Sequence, residues 1–372
     1  MRKINILFLC FLFFTGVYPG YSQSRKIIQI PDIPGYQTLK GDFHMHTVFS
    51  DGTVWPTVRV EEAWLEGLDV IAITDHIEYQ PHSKDVVADH NRSFQIAKPL
   101  ADKLGILLVR SAEITRSMPP GHLNALFISN ANLLERDNVF DALKEARDQG
   151  AFIFWNHPGW KAQQPDTTLW WEEHTRLLNQ DLLQGIEVFN SKEYYPEAID
   201  WAVEKKLTMF GNTDVHSPIA MAYNLDEHHR PMTLVFAKSK TQRGVKDALL
   251  NQRSAVYFEN TLIGTSSVLE PLFFASLNIE KSPLNIANGD VRIVEIENNS
   301  DVDYELELVQ PGIGFDAPET LSLKAHHVTP VELIGNSDQV ATMEQLKAYY
   351  KVKNMHVSSG DNLVITFSFP NK

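Results

Sequence analysis

The chain predicts an α/β barrel domain followed by a small all-β sandwich. Three observations carry that expectation. Between residues 26 and 262, seven short apolar runs alternate with stretches of helical character. Glycines recur where a helical stretch gives way to the next apolar run. Beyond about residue 270 the pattern changes to period-two alternation broken by turn clusters.

The first residues read as a leader rather than as fold. Arg2 and Lys3 form a basic head, Ile4 to Val17 is almost wholly apolar, and small or polar residues follow from Gly20 to Ser24. This is the pattern of a secretory signal peptide cleaved near Ser22 to Ser24. The run is too short for a membrane span. A lipoprotein anchor at Cys10 is the alternative, but Leu7-Phe-Leu-Cys10 lacks the small residues such a site uses. The expected organisation is a leader over 1–23, a barrel domain over 24–264 and a sandwich over 265–372. The expected location is periplasmic or extracellular, with no stable membrane insertion after cleavage. Cys10 is the only cysteine, so a mature chain has no disulfide and relies on its core or on metals.

The apolar runs are 69–74, 106–110, 123–128, 151–155, 185–189, 207–210 and 232–236. Continuous runs of this kind read as strands buried on both faces. Helices are expected over 58–66, 93–104, 139–149, 169–179, 197–206 and 241–252. Gly67, Gly105, Gly150 and Gly185 separate helix from strand, as helix-ending glycines do. Repeated β-α units imply a parallel sheet, closed or nearly closed into a barrel. The segments 291–296, 304–309 and 363–369 alternate with a period of two, and imply the antiparallel sandwich.

A formal net charge of −14 argues against binding duplex nucleic acid, which needs lysine and arginine against phosphates.

Six histidines and three acids stand where strands are expected to end: His44, His46, Asp51, His76, Glu113, His122, His157, Asp214 and His216. Imidazoles and carboxylates are the donors that divalent cations take. His44 and His46 lie two apart, so on a strand both rings aim to one face. Asp214 and His216 repeat that spacing. In a barrel, such ligands fall at the C-terminal strand ends, where chemistry is kept.

Asp42-Phe-His-Met-His-Thr47, Ser50-Asp-Gly52, Ile73-Thr-Asp-His76, Glu113, His122, Asn156-His157-Pro158 and Asn212-Thr-Asp-Val-His216 together resemble the successive motifs of the PHP (polymerase and histidinol phosphatase) superfamily. The resemblance covers about two-thirds of the chain. It implies a distorted seven-stranded β/α barrel and a centre of two to three divalent metal ions. It groups His44, His46, Glu113 and Asp214 about one ion, Glu113, His122 and His157 about a second, and Asp51, His76 and His216 about a third. Zinc, manganese and iron all suit these donors.

The expected activity is hydrolysis of a small phosphodiester by metal-activated hydroxide, with the metals clamping the non-bridging oxygens. The alternatives are a phosphomonoester phosphatase on the same site and a non-catalytic surface-binding protein with a structural barrel. Asp75 is a candidate proton donor and Arg116 a candidate phosphate clamp, with a surface ion pair as the other reading of Arg116. His82, Asn190 and Tyr194 are candidate substrate contacts from loops over the barrel mouth. Trp160 is a candidate pocket wall. His90, His174, His228, His229, His326, His327 and His356 read as surface residues, and the sandwich as a possible site of oligomerisation.

Overall fold

The computed structural model describes residues 24–310 and 312–372, so the expected leader and Cys10 lie outside the described residues. Among the described residues, no helix is long and apolar enough to cross a membrane.

The first domain runs β1 (Gln37–Asp42), α1 (Pro56–Leu65), β2 (Val70–Ile73), α2 (Arg92–Leu104), β3 (Leu107–Ile114), β4 (Leu123–Leu126), α3 (Val139–Asp148), β5 (Phe152–Trp155), α4 (Glu172–Asn179), β6 (Gly185–Asn190), β7 (Glu193–Tyr194), α5 (Pro196–Lys205), β8 (Thr208–Asn212), α6 (Ile219–Ala222), β9 (Met232–Ala237), α7 (Gln242–Leu250), β10 (Ser254–Phe258) and β11 (Thr261–Gly264). Every residue of β2, β4, β5, β8 and β9 is buried, as strands covered on both faces require. Two helices, α3 and α7, begin at side-chain caps. Asn138 accepts from the Phe140 amide at 2.8 Å and Thr241 from the Gly244 amide at 3.0 Å, satisfying amides that the first turn leaves free.

The sheet is mixed, which corrects the all-parallel expectation. β1, β2 and β3 pair in parallel, as do β5, β6 and β8. β4 runs antiparallel to both β3 and β5. Only residues 115–122 join β3 to β4, with no helix among them, and a link that short cannot carry a parallel crossover. β9 pairs antiparallel with β1, and β10 and β11 extend that side. The ring closes at the top through a bridge between Met45 and Val215. Lower down, Thr233 Oγ1 bonds both the N–H and the C=O of Gly211, and Ser254 Oγ donates to the Met209 carbonyl.

Gly67, Gly105 and Gly150 have positive φ, as helix-ending glycines do, but Gly185 does not. Gly185 instead starts β6, where a Cβ would lie 2.7 Å from the Phe210 ring.

After α8 (Ser266–Ala275), the sandwich consists of β12 (Leu277–Ile279), β13 (Val291–Asn298), β14 (Tyr304–Gln310), β15 (Phe315–Asp316), β16 (Thr320–Leu323), β17 (Val328–Gly335), β18 (Gln345–His356) and β19 (Asn362–Pro370). One sheet has the order β12-β13-β17-β15, and the other pairs β14 with β16 and β18, and β18 with β19. β18 also pairs in parallel with β11, so one sheet continues from barrel into sandwich. Phe273 of α8 is buried against Tyr304 and Phe367.

Candidate metal centre

The site is built from strand ends pinned by buried arginines. His44 and His46 lie just beyond β1, where the His46 amide donates to the Val215 carbonyl at 3.0 Å and the Asp214 amide to the His44 carbonyl at 2.8 Å. Arg59, fully buried on α1, binds the carbonyls of His46, Val215 and Ser217 and pairs with Glu62 at 2.7 Å. Arg230 pairs with Asp42 at 2.6 Å, and Asp42 also accepts from Thr213 Oγ1. These bonds lock together two segments about 170 residues apart in the chain, at the level of the ligands. The Ser50 to Gly52 turn brings Asp51 in from the side. A Cβ at Gly52 would lie 2.6 Å from the His46 and Thr47 backbone, so only glycine lets the turn close.

All nine donors converge on one cavity floor. His44 Nε2 and His46 Nε2 lie 3.1 and 3.0 Å from Asp214 Oδ1, and each is 3.4 Å from Glu113 Oε2. His122 Nδ1 is 2.9 Å from Glu113 Oε1, and His76 Nδ1 is 2.9 Å from Glu113 Oε2. His216 Nε2 and His76 Nε2 approach Asp51 Oδ1 at 3.2 and 3.5 Å. His157 Nε2 stands 3.9 Å from both Glu113 and Asp214. The groupings differ from the implied ones in three places. His46 joins Asp51, His76 and His216, His157 sits with His44 and Asp214, and His76 also sits with Glu113 and His122. His157 and Asp214 hold positive φ of 29° and 51°, strain of a kind that collects at functional sites.

The donor atoms fit cations. His44 Nε2, His46 Nε2, Asp51 Oδ1, Glu113 Oε2 and His122 Nδ1 are buried and make no hydrogen bond. Buried polar atoms without partners are costly, and here they face one another. Cations seated among them, in the separate donor clusters that these residues form, would satisfy them.

The titration pattern points the same way. Burial opposes charge on His44, but Asp214, Glu187 and Glu113 outweigh it and hold the ring well above its ordinary value. Burial likewise opposes charge on His76, yet Glu113 and Asp51 push it up to about 10. His46 is pushed down to about 3 by burial, reinforced by His76 and His216. Burial works against ionisation of Glu113, but His76, His44 and His122 hold it well below the usual carboxylate range. The carboxylates therefore demand positive charge, which protons on the rings supply when cations do not.

Sequence reasoning missed Glu187, a fully buried carboxylate in the middle of β6. Its Oε1 meets His44 Nδ1 at 2.9 Å and accepts from Asn212. Its Oε2 accepts from the His157 amide and from Asn190. A carboxylate on Nδ1 fixes the proton there and turns the Nε2 lone pair inward. His76 and His216 are held in the same way, by Thr115 Oγ1 at 2.6 Å and the Asp214 carbonyl at 2.7 Å.

Above the donors lies a cavity of about 520 Å³, walled by Tyr79, Thr115, Trp160, Asn190, Lys192 and Glu193 among others. Asn190 and Trp160 reach it as the sequence suggested. Four other candidates do not line it. Asp75 is committed to the turn below, accepting from Thr47 N, Thr47 Oγ1 and Ser50 Oγ, so it is no proton donor to the cavity. The Arg116 guanidinium pairs with Glu78 at 2.6 Å and donates to the Arg136 carbonyl. His82 sits in a turn whose carbonyl accepts from Asp85 and Val86. Tyr194 points to a separate cleft shared with Phe258 and His356, because β7 turns Glu193 and Tyr194 to opposite sides. Several histidines read as surface residues are also covered. His174 is buried, stacks on Trp155 at 3.6 Å and bonds the Pro120 carbonyl at 2.7 Å. His90 is buried and His229 stacks on Tyr257.

A family model described as an Ig-like domain matches residues 277–368. No curated protein matches the chain. Among solved structures, a two-domain protein from Bacteroides vulgatus containing a predicted PHP-like metal-dependent phosphoesterase is 46% identical, with a TM-score of 0.88, over 94% of this chain and 100% of that one. A structure from Bifidobacterium adolescentis, assigned to a metal-dependent phosphoesterase, is 18% identical with a TM-score of 0.37, over 47% of this chain and 87% of that one. The first likeness spans barrel and sandwich alike, and the chain belongs to the family of two-domain PHP-like metal-dependent phosphoesterases.

Proposed function

We propose that this protein hydrolyses a small phosphodiester at the centre formed by His44, His46, Asp51, His76, Glu113, His122, His157, Asp214 and His216. The carrying observation is the gathering of buried, unbonded donor atoms in adjoining clusters below an open cavity. Divalent cations held there supply Lewis acidity toward a phosphoryl oxygen and lower the pKa of water to about 7. The protein's part is to hold the donors fixed. Glu187 orients His44, Asp42 and Arg230 set the strand ends, and Arg59 ties His46 to Val215.

The cavity wall supports a diester over a monoester. Among the described residues that line it, Lys192 is the only lysine or arginine, and Glu193 stands beside it. Arg116 is spent on Glu78. A monoester is close to dianionic at neutral pH, with its second pKa at about 6, whereas a diester carries one charge. A wall with so little positive charge suits the single charge. The basic head, apolar run and small-residue site in residues 1–23 support export as the setting.

The test compares bis(p-nitrophenyl) phosphate with p-nitrophenyl phosphate, using protein loaded with zinc, manganese or iron. Faster turnover of the diester, abolished by chelation, is the expected outcome. Preference for the monoester overturns the diester assignment. No turnover of either ester with any of the metals leaves a structural barrel.

A further inference from the structure

We infer that the cavity holds a flat, π-bearing ester arm of its substrate, an aryl ring or a nucleobase, between Tyr79 and Trp160. This deepens the diester reading and rests on the same site.

The two aromatics are placed as walls rather than as core. Tyr79 is 53% exposed and Trp160 is 39% exposed, and both line the cavity over the donors. The Trp160 ring packs against His157 at 5.2 Å and His122 at 5.8 Å between centroids, and Tyr79 meets His76 at 6.1 Å. His76 and His122 lie 5.7 Å apart, so both aromatics stand along one rim. Trp160 is fixed there by its backbone, which donates to the His157 carbonyl and accepts from Gln163 and Gln164.

Another part of the lining is polar. Asn190, Ser191, Lys192 and Glu193 supply it from the β6–β7 hairpin. A phosphodiester seated on the donors then meets two unlike walls. Its anionic oxygen suits Lys192, and one ester arm faces the aromatic side. Large exposed aromatic faces beside a cavity favour flat π-bearing ligands, because stacking adds to apolar burial. A cavity of about 520 Å³ has room for such an arm, since small-molecule sites start at about 300 Å³. The competing reading is that the two rings only shield the ligating histidines from water, and it requires no preference among arms.

The experiment measures binding of diphenyl phosphate and dibutyl phosphate to metal-loaded protein by calorimetry. The two anions carry the same charge and differ in their arms. Diphenyl phosphate is expected to bind about tenfold more tightly, a ratio in keeping with one stacked ring. Tyr79→Ala and Trp160→Ala should each shrink that ratio at least threefold, and Trp160→Phe should keep most of it. Metal content is measured for every variant, because Trp160 touches His122 and His157. Equal affinity for the two anions in the unaltered protein overturns the inference, as does an undiminished ratio in both alanine variants. An aryl preference in a protein that hydrolyses no diester leaves this subsite standing and removes the diesterase reading. Hydrolysis without any aryl preference does the reverse.

Discussion

Glu187 shows how a single side chain sets the chemistry of its neighbours. It bonds His44, Asn190, Asn212 and the His157 amide at once. Glu187→Gln keeps the shape but replaces one carboxylate oxygen with a donor, so either His44 Nδ1 and Asn212 or the His157 amide and Asn190 lose their acceptor. Metal affinity is expected to fall by about 10- to 100-fold, read by competition with a chromogenic chelator. Unchanged affinity removes the orienting role. A second expectation concerns protons. In metal-free protein, the raised His76 contributes stability that is fully present below its ordinary value of 6.5 and is lost as pH rises toward about 10. Denaturant midpoints of the stripped protein should fall across that window, and metal-loaded protein should show no such fall. The nine donors were legible in the sequence because most flank an apolar run and all fall, in order, on motifs that resemble one family's. Glu187 left a weaker trace, an acid inside the run Gly185-Ile-Glu-Val-Phe189, which demands a buried partner without naming it. Arg116 and Asp75 misled because proximity in sequence does not say which way a loop side chain turns.

At the scale of elements, the parallel units α1-β2-α2-β3 and β5-α4-β6-α5-β8 were readable from alternating apolar runs and helices, whereas β1, Gln37-Thr-Leu-Lys-Gly-Asp42, carries no apolar run. The reversal at β4 also left a sign, since no helical stretch separates 106–110 from 123–128. Its meaning emerges only with the crossover requirement. The arginines that lock the elements were not readable, because their partners lie far away in the chain. Arg59 binds segments 158 residues apart from it, and Arg230 meets Asp42 across 188 residues. Arg59→Leu leaves three carbonyls and Glu62 without their buried donor. It should destabilise the protein by about 3 kcal/mol or more, read by urea unfolding in the presence of metal. A cost below about 1 kcal/mol would show that α1 does not hold the ligand strands. His174 was misread for a related reason. Its polar sequence neighbours conceal a ring stacked on Trp155, and burial pushes it down to about 4 despite the Pro120 carbonyl.

The whole molecule is more continuous than its two patterns suggest. The change of period near residue 270 was plain in the sequence, but the joining of β11 to β18 was not, because ladder partners leave no local trace. Leu262 pairs with Met355 and Ile263 with His356. Asn260 bonds Asp303, Asn354 bonds the Asn260 carbonyl, and the Ser359 amide reaches Asp200 on α5. Barrel and sandwich should therefore unfold in one cooperative transition, with fluorescence and far-ultraviolet dichroism coinciding. Two separated transitions would show that the shared sheet does not couple them. A barrel truncated after Gly264 should self-associate, because β11 becomes an open apolar edge.

The central claim is that nine donors drawn from across the barrel surround a compact group of cations. Anomalous diffraction from crystals of metal-loaded protein tests it most directly. The account predicts peaks at about 2.0–2.3 Å from atoms of Asp51, Glu113, Asp214 and the six histidines, with at least two ions in one cavity. A map with no peak there, or with one peak bound elsewhere on the chain, would contradict it.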